Sequence, residues 1–532
     1  MSVMSRIRSL MGGTKMDASA VQMVPAAVAG GAFDGADRIS REMATWAPPL
    51  MSADAEILPS KGILDARGRS ISQNDPLVSN GVEITKNGVV GTKFVLNSKP
   101  NGDLLGFDED AVDEVQREIE ALFDVYAHSD DCYVDASGKL NLTDIVRIAT
   151  GAAVITGEFL ATFEWLDDQP FKTALQLVDA DRLSNPNGTM DTPWLSGGVE
   201  KDIRGRPVAY HIQTRHPSDY WVADAETAWK RVPARKPWGR RMVLHVFDQT
   251  RPDQSRGVAK MVAALREMRM TRRFQDVALQ NAVVQAMFAA TIESDRGPLE
   301  AYQALGMDTV ATNPDQMAAE IQGYTAAYLN AALAYGKSGN VARLDGAMVP
   351  HLFPGTKLNI QKMGDGTLGT EFENSLIRKI AAALGVSYEE MARDLTKVSY
   401  SGAMAAMSQT AQTMMSVKRA TPDKVATAIF KNWLEEVVNA GMITSLPAIA
   451  KRPGWLYEGQ NLNGLARCSW IGAARGVVDE DKAAKAAERR LAMGLTTMEA
   501  EAARMGDDWR EVAKQRAREI KNGVVFPKGS KK

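Results

Sequence analysis

The chain has 532 residues, which predicts two to four domains or subdomains, and its 45% hydrophobic and 24% charged residues are ordinary for a folded protein. The formal net charge of -2 argues against a protein that grips nucleic acid through bulk positive charge, but not against one that lets DNA slide. The two cysteines lie far apart and no histidines have the i, i+4 spacing of a metal pair, so we expect no disulfide framework, metal or cofactor. No apolar stretch is long enough to span a bilayer, and no signal peptide is evident. We therefore expect no membrane partner, and assembly in a reducing cytoplasm.

The first 250 residues predict a disordered arm followed by an α+β region. Residues 1–35 are rich in Ala, Gly, Ser and Met without a clear period, which is typical of disorder. Further on, GVVGTKFVLNSKP and RMVLHVFD have the pattern of strands, and DIRGRP is typical of a hairpin turn between two more. DEDAVDEVQREIEALFDVYAHS begins with acidic residues and carries an apolar stripe, so it predicts a helix.

A long amphipathic helix is predicted from Gly257 to about Ala289 by apolar residues that recur at helical spacing. Arg266, Arg269 and Arg273 fall together on a different face of this helix. Two interpretations of these cations stay open. They form a solvated face, or they face an anionic surface on a neighbouring subunit or on nucleic acid.

Residues 290–366 form a predicted insertion with its own elements. MFAATIES and TKLNIQKM have the pattern of strands, and PDQMAAEIQGYTAAYLNAAL that of a helix. A second long helix follows over 367–385, with Gly385 as its predicted stop. SYEE then predicts a capping box between Ser387 and Glu390 at the start of a short helix.

The stretch DLTKVSYSGAM is a polar break between predicted helices. Methionines at helical spacing follow it, and Thr421 and Pro422 are typical of the N-cap and first residue of another helix. Ile429, Trp433 and Val437 predict an apolar stripe along that helix. The last portion, about 478–521, is rich in Ala, Glu, Arg and Lys and predicts two or three short surface helices. The tail FPKGSKK is expected to be disordered.

GDGTLG, from Gly364 to Gly369, matches the G-x-G-x-x-G pattern of dinucleotide-binding sites. Such a unit needs a parallel strand after its helix, whereas the residues that follow here predict a capped helix. YGKSGN contains G-K-S, but position 331 is alanine where a phosphate-binding loop has glycine. A nucleotide-binding enzyme that uses Gly364, Gly366 and Gly369 is therefore kept only as the alternative to a flexible loop.

Five stretches of the sequence resemble the lambda-type family of bacteriophage portal proteins. TWAPPLMSADAEILPS, LDARGRSISQND and KNGVVG are similar to the N-terminal part of the family, and LQLVDADRL with GVEKDIRGRPVAYHIQTRHP to its wing strands. VLHVFDQTRPDQSRGVAKMVAAL resembles the segment before the stem helix. IRKIAAALGVSYEEMARDLTKVSYSGAM resembles the segment that ends in the channel loop, and CSWIGAARGVVDEDKAAKAA the approach to the crown. Each stretch alone is weakly specific, but the five occur in the family's order and span most of the chain.

The resemblance implies an α+β portal fold with an α+β wing, a long-helix stem, a small α/β clip and a helical C-terminal crown. It divides the chain into a disordered arm (1–35), wing (36–256), first stem helix (257–289), clip (290–366), second stem helix (367–385), wing helix (386–394), channel loop (395–402), long wing helices (403–455), crown (456–525) and disordered tail (526–532).

The same resemblance implies a subunit of a closed, dodecameric ring at one capsid vertex, which forms the channel for DNA packaging and ejection. The implied partners are further copies of the chain, double-stranded DNA without sequence specificity, the terminase large subunit, the major capsid protein and head-completion or tail connector proteins. ATP hydrolysis would belong to the terminase, so this chain is not expected to be an enzyme. A scaffold or minor capsid component without a channel is a third interpretation.

The candidate site follows from the loop of the family. Lys397, Ser399, Tyr400 and Ser401 would line the narrowest point of the channel and make weak, sequence-blind contacts with phosphates. The family commonly has an arginine where this chain has Met404. This chain therefore has no arginine at that position to make the positive contact that the resemblance implies.

Overall fold

The computed structural model describes residues 36–37, 40–219, 228–287, 342–344, 347–349, 367–394, 396, 399–474, 476 and 479–523. The predicted disordered arm and tail lie outside the described residues. So do the strands and the helix that were predicted for the insertion.

Helices form most of the described chain. They are α1 (Ala53–Asn74), α2 (Pro76–Val89), α3 (Gly102–Leu105), α4 (Glu109–His128), α5 (Leu142–Ile155), α6 (Leu265–Met287), α7 (Thr367–Leu384), α8 (Tyr388–Ala392), α9 (Tyr400–Ala420), α10 (Pro422–Asn439), α11 (Asn461–Leu465), α12 (Glu480–Ala492), α13 (Met498–Arg504) and α14 (Trp509–Lys521). None of these helices is long and apolar enough to span a bilayer within the described residues.

The strands pair in antiparallel ladders. They are β1 (Val95–Ser98), β2 (Glu158–Trp165), β3 (Thr173–Val178), β4 (Leu195–Ser196), β5 (Val199–Lys201), β6 (Pro207–Gln213), β7 (Trp229–Pro233), β8 (Val243–Phe247), β9 (Ala342–Leu344), β10 (Ala347–Val349) and β11 (Cys468–Ile471). The sheets have the orders β3-β2-β8, β4-β5-β6-β7, β1-β11 and β10-β9. This mixture confirms the α+β class, and DIRGRP forms the predicted turn between β5 and β6.

The largest apolar core centres on helix α10. Trp433 is fully buried and packs its ring against Phe123 and Tyr126 of α4, at centroid distances of 5.0 and 5.8 Å. Ile429 and Val437 are also fully buried, so the predicted apolar stripe is confirmed. The aromatic residues contribute most here because they remove the largest apolar area from water.

Strand β11 returns the C-terminal part of the chain to the main core. It pairs with β1, and Trp470 stacks on Phe94 with ring centroids 5.5 Å apart. Trp455 and Leu465 belong to the same core. Residues 456–471, which were assigned to the crown, therefore pack with the predicted wing, and the helices that bury no residue, α12 to α14, come after them.

Helices α6 and α7 pack as an antiparallel pair. Phe274 and Phe372 meet edge to face at 5.6 Å, and Gln275 Nε2 donates to Glu373 Oε1 at 2.7 Å. The 3-10 turn Lys260–Ala264, which precedes α6, also packs on α7. Phe372 lies near the start of α7, so the 3-10 turn that precedes α6 packs on the later part of α7. The two helices therefore run in opposite directions.

Two predicted boundaries are wrong, namely the start of the first long helix and the end of the helices predicted over 403–455. The helix predicted from Gly257 begins at Leu265, because Ala259 is extended and a 3-10 turn precedes the helix. Helix α10 begins at Pro422 as predicted, but Thr421 makes no side-chain cap bond, since α9 runs into α10 with a single break. The long helices that were predicted over 403–455 end at Asn439.

Replacement of Trp433 by alanine tests the assignment of the core. The substitution would leave a large cavity between α4 and α10, so we expect a loss of about 3–5 kcal/mol in the free energy of unfolding. Chemical denaturation measures it. Trp46→Ala is the control, because Trp46 is 68% exposed and its removal should change stability little. Equal effects of the two substitutions would contradict the packing.

Candidate functional site

Gly157 and Gly257 let the segment that leads into α6 cross the chain just before β2, in the central sheet β3-β2-β8. A Cβ on Gly157 would lie 2.2 Å from the carbonyl carbon of Val258, and a Cβ on Gly257 would lie 2.2 Å from the carbonyl oxygen of Gly157. Gly157 also has a φ of +86°, which a side chain rarely tolerates. The backbones can therefore approach this closely only without side chains.

A buried ionic network surrounds this crossing. Glu158, on β2, is 1% exposed, and its carboxylate accepts from Arg256 Nη2 at 2.6 Å and from His245 Nε2 at 3.0 Å. Lys61 Nζ, from α1, lies 3.1 Å from the same carboxylate, and the backbone N–H of Gly257 donates to it at 2.8 Å. One carboxylate thus joins α1, β2, β8 and the segment that leads into α6.

The second partner in the network is also fully engaged. Arg256 donates to the carbonyl oxygens of Leu183, Ala180 and Gly197 at 2.6, 2.9 and 3.0 Å. Lys61 donates to the carbonyl oxygen of Gly257 at 2.9 Å. Because each buried charge has both an ionic partner and hydrogen bonds, the network avoids the cost of an unpaired buried charge.

The network shifts the pKa values of its members in both directions. Burial alone would raise the pKa of Glu158, but Arg256, His245 and Lys61 hold it well below its usual range. The pKa of Arg256 is raised, since the attraction of Glu158 outweighs the effect of burial. Burial raises the pKa of Asp65, which pairs with Lys61 at 2.9 Å.

The predicted arginine face lies on helix α6. Arg266, Arg269 and Arg273 are exposed, and their spacing places them on one side of the helix. Arg272 is partly buried instead, and donates to the carbonyl oxygen of Asn74. The three predicted arginines therefore form one exposed basic face of α6.

The helices before the predicted loop are tied together through Glu390. The capping box is confirmed, since Ser387 Oγ accepts from the N–H of Glu390 at 3.2 Å and Glu390 Oε2 accepts from the N–H of Ser387 at 3.3 Å. Glu390 Oε2 also accepts from Thr410 Oγ1, on α9, at 2.7 Å. Tyr388 donates to Asn374 of α7 at 3.0 Å. These bonds connect α7, α8 and α9.

The predicted loop 395–402 is shorter than expected. Helix α9 begins at Tyr400, so Tyr400 and Ser401 belong to its first turn. Ser399 is the N-cap, and its Oγ accepts from the N–H of Gly402 at 3.2 Å. The correction has a simple cause, because a serine followed by residues that tolerate a helix starts one. Lys397 lies outside the described residues.

The base of the loop is held on the other side as well. Arg393 has a φ of +52°, which ends α8, and its Nη2 donates to Asn80 Oδ1 at 3.0 Å. Asn80 Nδ2 in turn donates to the carbonyl oxygen of Met391 at 2.9 Å. Ser399, Ser401 and Met404 are exposed at the start of α9. The described part of the loop therefore projects from two anchored helix ends.

An acidic group elsewhere is an ion pair rather than a metal site. Asp179, Asp181 and His216 offer ligand atoms within 4.8 Å of one another. However, Arg69 Nη2 donates to Asp181 Oδ1 at 2.8 Å and to Asp179 Oδ1 at 3.3 Å. The guanidinium already neutralises these carboxylates, and the pKa of Asp181, which burial would raise, is lowered by it.

Comparison with known families assigns the fold. Residues 39–418 match the sequence profile of the family described as phage portal protein, lambda family. The chain belongs to the lambda family of phage portal proteins. This portal protein is a structural component of a tailed phage virion, so the expectations of the family and of a chain that is not an enzyme are confirmed.

Relatives are similar to this portal protein over nearly its whole length. The portal protein of Escherichia phage N15 is 33% identical over 494 residues, which cover 92% of this chain and 88% of that one. Portal protein B of Escherichia phage lambda is 32% identical over 495 residues, covering 92% and 89%. A chain from the virion of a native gene transfer agent particle has 12% identity and a TM-score of 0.39, covering 84% of this chain and 93% of that one.

The nucleotide-binding alternative is not favoured. Gly364 and Gly366 lie outside the described residues, and Gly369 lies within α7. The element that follows α7 is the capped helix α8. The ladders among the named strands of the described chain are antiparallel, which does not fit the parallel βαβ unit that a dinucleotide site requires.

Sequence reasoning missed the Glu158 network of this portal protein. One signal was available, because Glu158 interrupts an otherwise apolar run that forms a buried strand. A charged residue in such a run implies a buried partner. The sequence could not identify that partner, because Arg256 lies 98 residues after Glu158 and Lys61 lies about as far before it.

Substitution of Glu158 by glutamine tests the network. The change leaves Arg256 and Lys61 buried without their carboxylate, so we expect a loss of about 3–5 kcal/mol at pH 7. Glu164→Gln is the control on the same strand, since the Glu164 carboxylate accepts from the Thr162 hydroxyl and pairs with no cation among the described residues. Chemical denaturation that showed equal, small losses for both variants would contradict the role of the network.

The same variant gives a prediction on pH. The folded-state pKa of Glu158 is lowered, so its stabilisation is fully present above the unfolded pKa and is lost as the pH falls towards the folded pKa. The difference in unfolding free energy between the native chain and Glu158→Gln should therefore be constant near neutral pH and shrink in acid. A difference that grew on acidification would contradict the assignment.

Proposed function

We propose that this portal protein forms a closed homo-oligomeric ring of twelve copies at one capsid vertex, with a central channel for DNA packaging and ejection. The observation that carries the proposal is the arrangement of α6 and α7. The last residue of α6 and the first residue of α7 lie at the same end of this antiparallel pair, which supports a stem that carries the intervening residues as a clip. A ring closes when each copy has two complementary surfaces.

The division of labour within the ring follows the family resemblance. The α+β region is the wing, α6 and α7 are the stem, the insertion is the clip, and α12 to α14 form the crown. The clip docks the terminase large subunit during packaging and then the head-completion or tail connector proteins. The wing meets the major capsid protein. Assembly takes place in the cytoplasm of the bacterial host.

The channel loop carries the contact with DNA in this proposal. The proposed contacts come from Lys397, Ser399, Tyr400 and Ser401. The last three lie at the start of α9, where Ser399 and Ser401 are exposed. Hydroxyl groups and one lysine make few counterion-releasing contacts, so the loop touches duplex DNA weakly and without regard to sequence. A near-neutral chain suits a channel through which DNA slides.

Loss of the loop contacts tests the channel proposal. Lys397→Ala combined with Tyr400→Ala removes the cation and the aromatic ring, so packaging efficiency and retention of packaged DNA should both fall. The conservative pair Lys397→Arg with Tyr400→Phe should keep both activities. If the alanine pair assembles normal particles and leaves both packaging efficiency and DNA retention unchanged, the proposed role of the loop is contradicted.

A separate experiment decides between the two interpretations of the arginine face. Arg266, Arg269 and Arg273 are replaced together by glutamine, with a lysine triple as the control that keeps the charge. If they contact phosphates, the salt dependence of DNA binding should weaken by about 0.9 in log–log slope for each lost contact. If they contact a neighbouring copy, the ring should dissociate at lower salt. No change in either measurement would establish a solvated face.

A further inference from the structure

A basic cavity lies between the segment that joins β7 to β8 and one face of α10. Its volume is about 710 Å³. Six basic side chains line it, namely Arg235, Arg240, Arg241, Arg419, Lys424 and Lys431. Its lining includes no residue of the channel loop or of helices α6 and α7.

The positive charge of the basic cavity is not compensated within the chain. Its two carboxylates are engaged elsewhere or with one cation only. Asp423 pairs with Lys418 at 2.6 Å, and Glu435 accepts from Arg240, Trp238 and Tyr457. Among the described residues, the other five basic side chains have no carboxylate within ion-pair distance. Arg235 donates to the carbonyl oxygen of Gly239 and Lys431 to Asn463 Oδ1, but these neutral partners leave the positive charge of the cavity in excess.

The cations in the wall of the cavity pay for this arrangement in desolvation and mutual repulsion. Arg241 and Lys431 are both partly buried. Burial, together with the charge of Arg235, lowers the pKa of Arg241, and burial with the charges of Arg235 and Arg241 lowers the pKa of Lys431. An anion seated in the cavity would relieve both effects.

The same chain carries an exposed surface of opposite charge. Helix α4 begins with a run of acidic residues, and Glu109, Asp110 and Glu114 are exposed there without an ionic partner among the described residues. Asp113 lies beside them, 3.6 Å from Arg510. Carboxylates are the anions that guanidinium and ammonium groups bind through short, charge-assisted hydrogen bonds, so this helix start matches the chemistry of the basic cavity.

The two surfaces lie on different faces of α10, because the side chains that line the cavity fall on another face than Phe430 and Trp433, which pack on Phe123 of α4. They therefore do not neutralise each other within one copy. The basic cavity uses Asp423 to Glu435 of that helix. The first half of α4 instead reaches the loop beyond the end of α10, where Glu118 accepts from the N–H groups of Thr444 and Ser445 at 2.8 and 2.7 Å. Complementary surfaces at separate places on one chain are what a head-to-tail ring contact requires.

We propose that the basic cavity of one copy receives the acidic start of α4 from the next copy, and that this pairing is one of the contacts that close the ring. The inference rests on the ring proposed above. It adds to that ring a named pair of surfaces, with the guanidinium groups of Arg235 and Arg241 suited to bind carboxylates in a bidentate way.

Charge reversal on each surface tests the pairing. The basic-reversed variant is Arg235→Glu with Lys424→Glu, and the acid-reversed variant is Asp110→Lys with Glu114→Lys. Lys424 lies in the first turn of α10, where a glutamate is favourable for the helix, so folding should be preserved. The readout is the fraction of ring in sedimentation velocity, beside thermal unfolding of each variant.

We expect each reversed variant to lower the concentration-matched ring fraction by about tenfold, because like charges then face each other. An equimolar mixture of the two variants should restore the ring, since each cavity then meets a helix start of opposite charge from the other variant. The chain with all four substitutions should assemble as well. The control, Arg67→Glu with Lys139→Glu, reverses two exposed cations that belong to neither surface and should leave the ring intact.

Several results would overturn the inference. A reversed variant that assembles like the native chain contradicts it, as does a mixture that fails to assemble from two variants with native thermal unfolding. If the acid-reversed variant does not fold, the neutral pair Asp110→Asn with Glu114→Gln replaces it. Loss of binding to a short DNA duplex in the basic-reversed variant, with the ring intact, assigns the cavity to phosphates instead. A native chain that forms no ring refutes the proposed function itself.

Discussion

The carboxylate of Glu158 is the constraint on which the arrangement of this portal protein depends. It is buried, and it binds Arg256, Lys61 and His245 together with the backbone N–H of Gly257. Helix α1, the central sheet and the segment that leads into α6 are therefore fixed by one charged group. A buried charge with this many donors has one favourable geometry, so the direction in which α6 leaves the α+β region is set there.

The angle between the α+β region and the helix pair matters for a ring. Each copy repeats any error in that angle, and a head-to-tail assembly closes only if the rotation between neighbours is constant. Apolar packing alone tolerates small adjustments, whereas a saturated ionic network does not. The two glycines at positions 157 and 257 serve the same end, since they let the backbones cross in contact.

The sequence predicted local structure well where the signal was local. The stripe with Ile429 and Trp433 and the capping box at Ser387 are both present, because helical spacing and capping depend on residues within two turns. The start of α6 was misplaced, because the apolar pattern begins at Val258, whereas the backbone N–H of Gly257 donates to Glu158, 99 residues earlier, and the helix begins only at Leu265. The loop before α9 was drawn too long, because Ser399 was interpreted as a channel hydroxyl and is also an N-cap.

Charge distribution was the least predictable feature. A net charge of -2 gives no hint that six basic side chains meet in one cavity while acidic residues collect at the start of α4. The cavity draws on the segment near Arg235 and on α10 near Lys431, which tertiary packing alone brings together. A near-neutral chain with separated patches of opposite charge suits association with further copies of itself better than bulk binding to nucleic acid.

Negative-stain electron microscopy of the purified full-length chain tests the central claim most directly. The account predicts closed rings of uniform size with a stain-filled central hole, formed without nucleotide or DNA. Monomers at concentrations where the virion assembles, or solid particles without a hole, would contradict it and would favour a scaffold or minor capsid component instead.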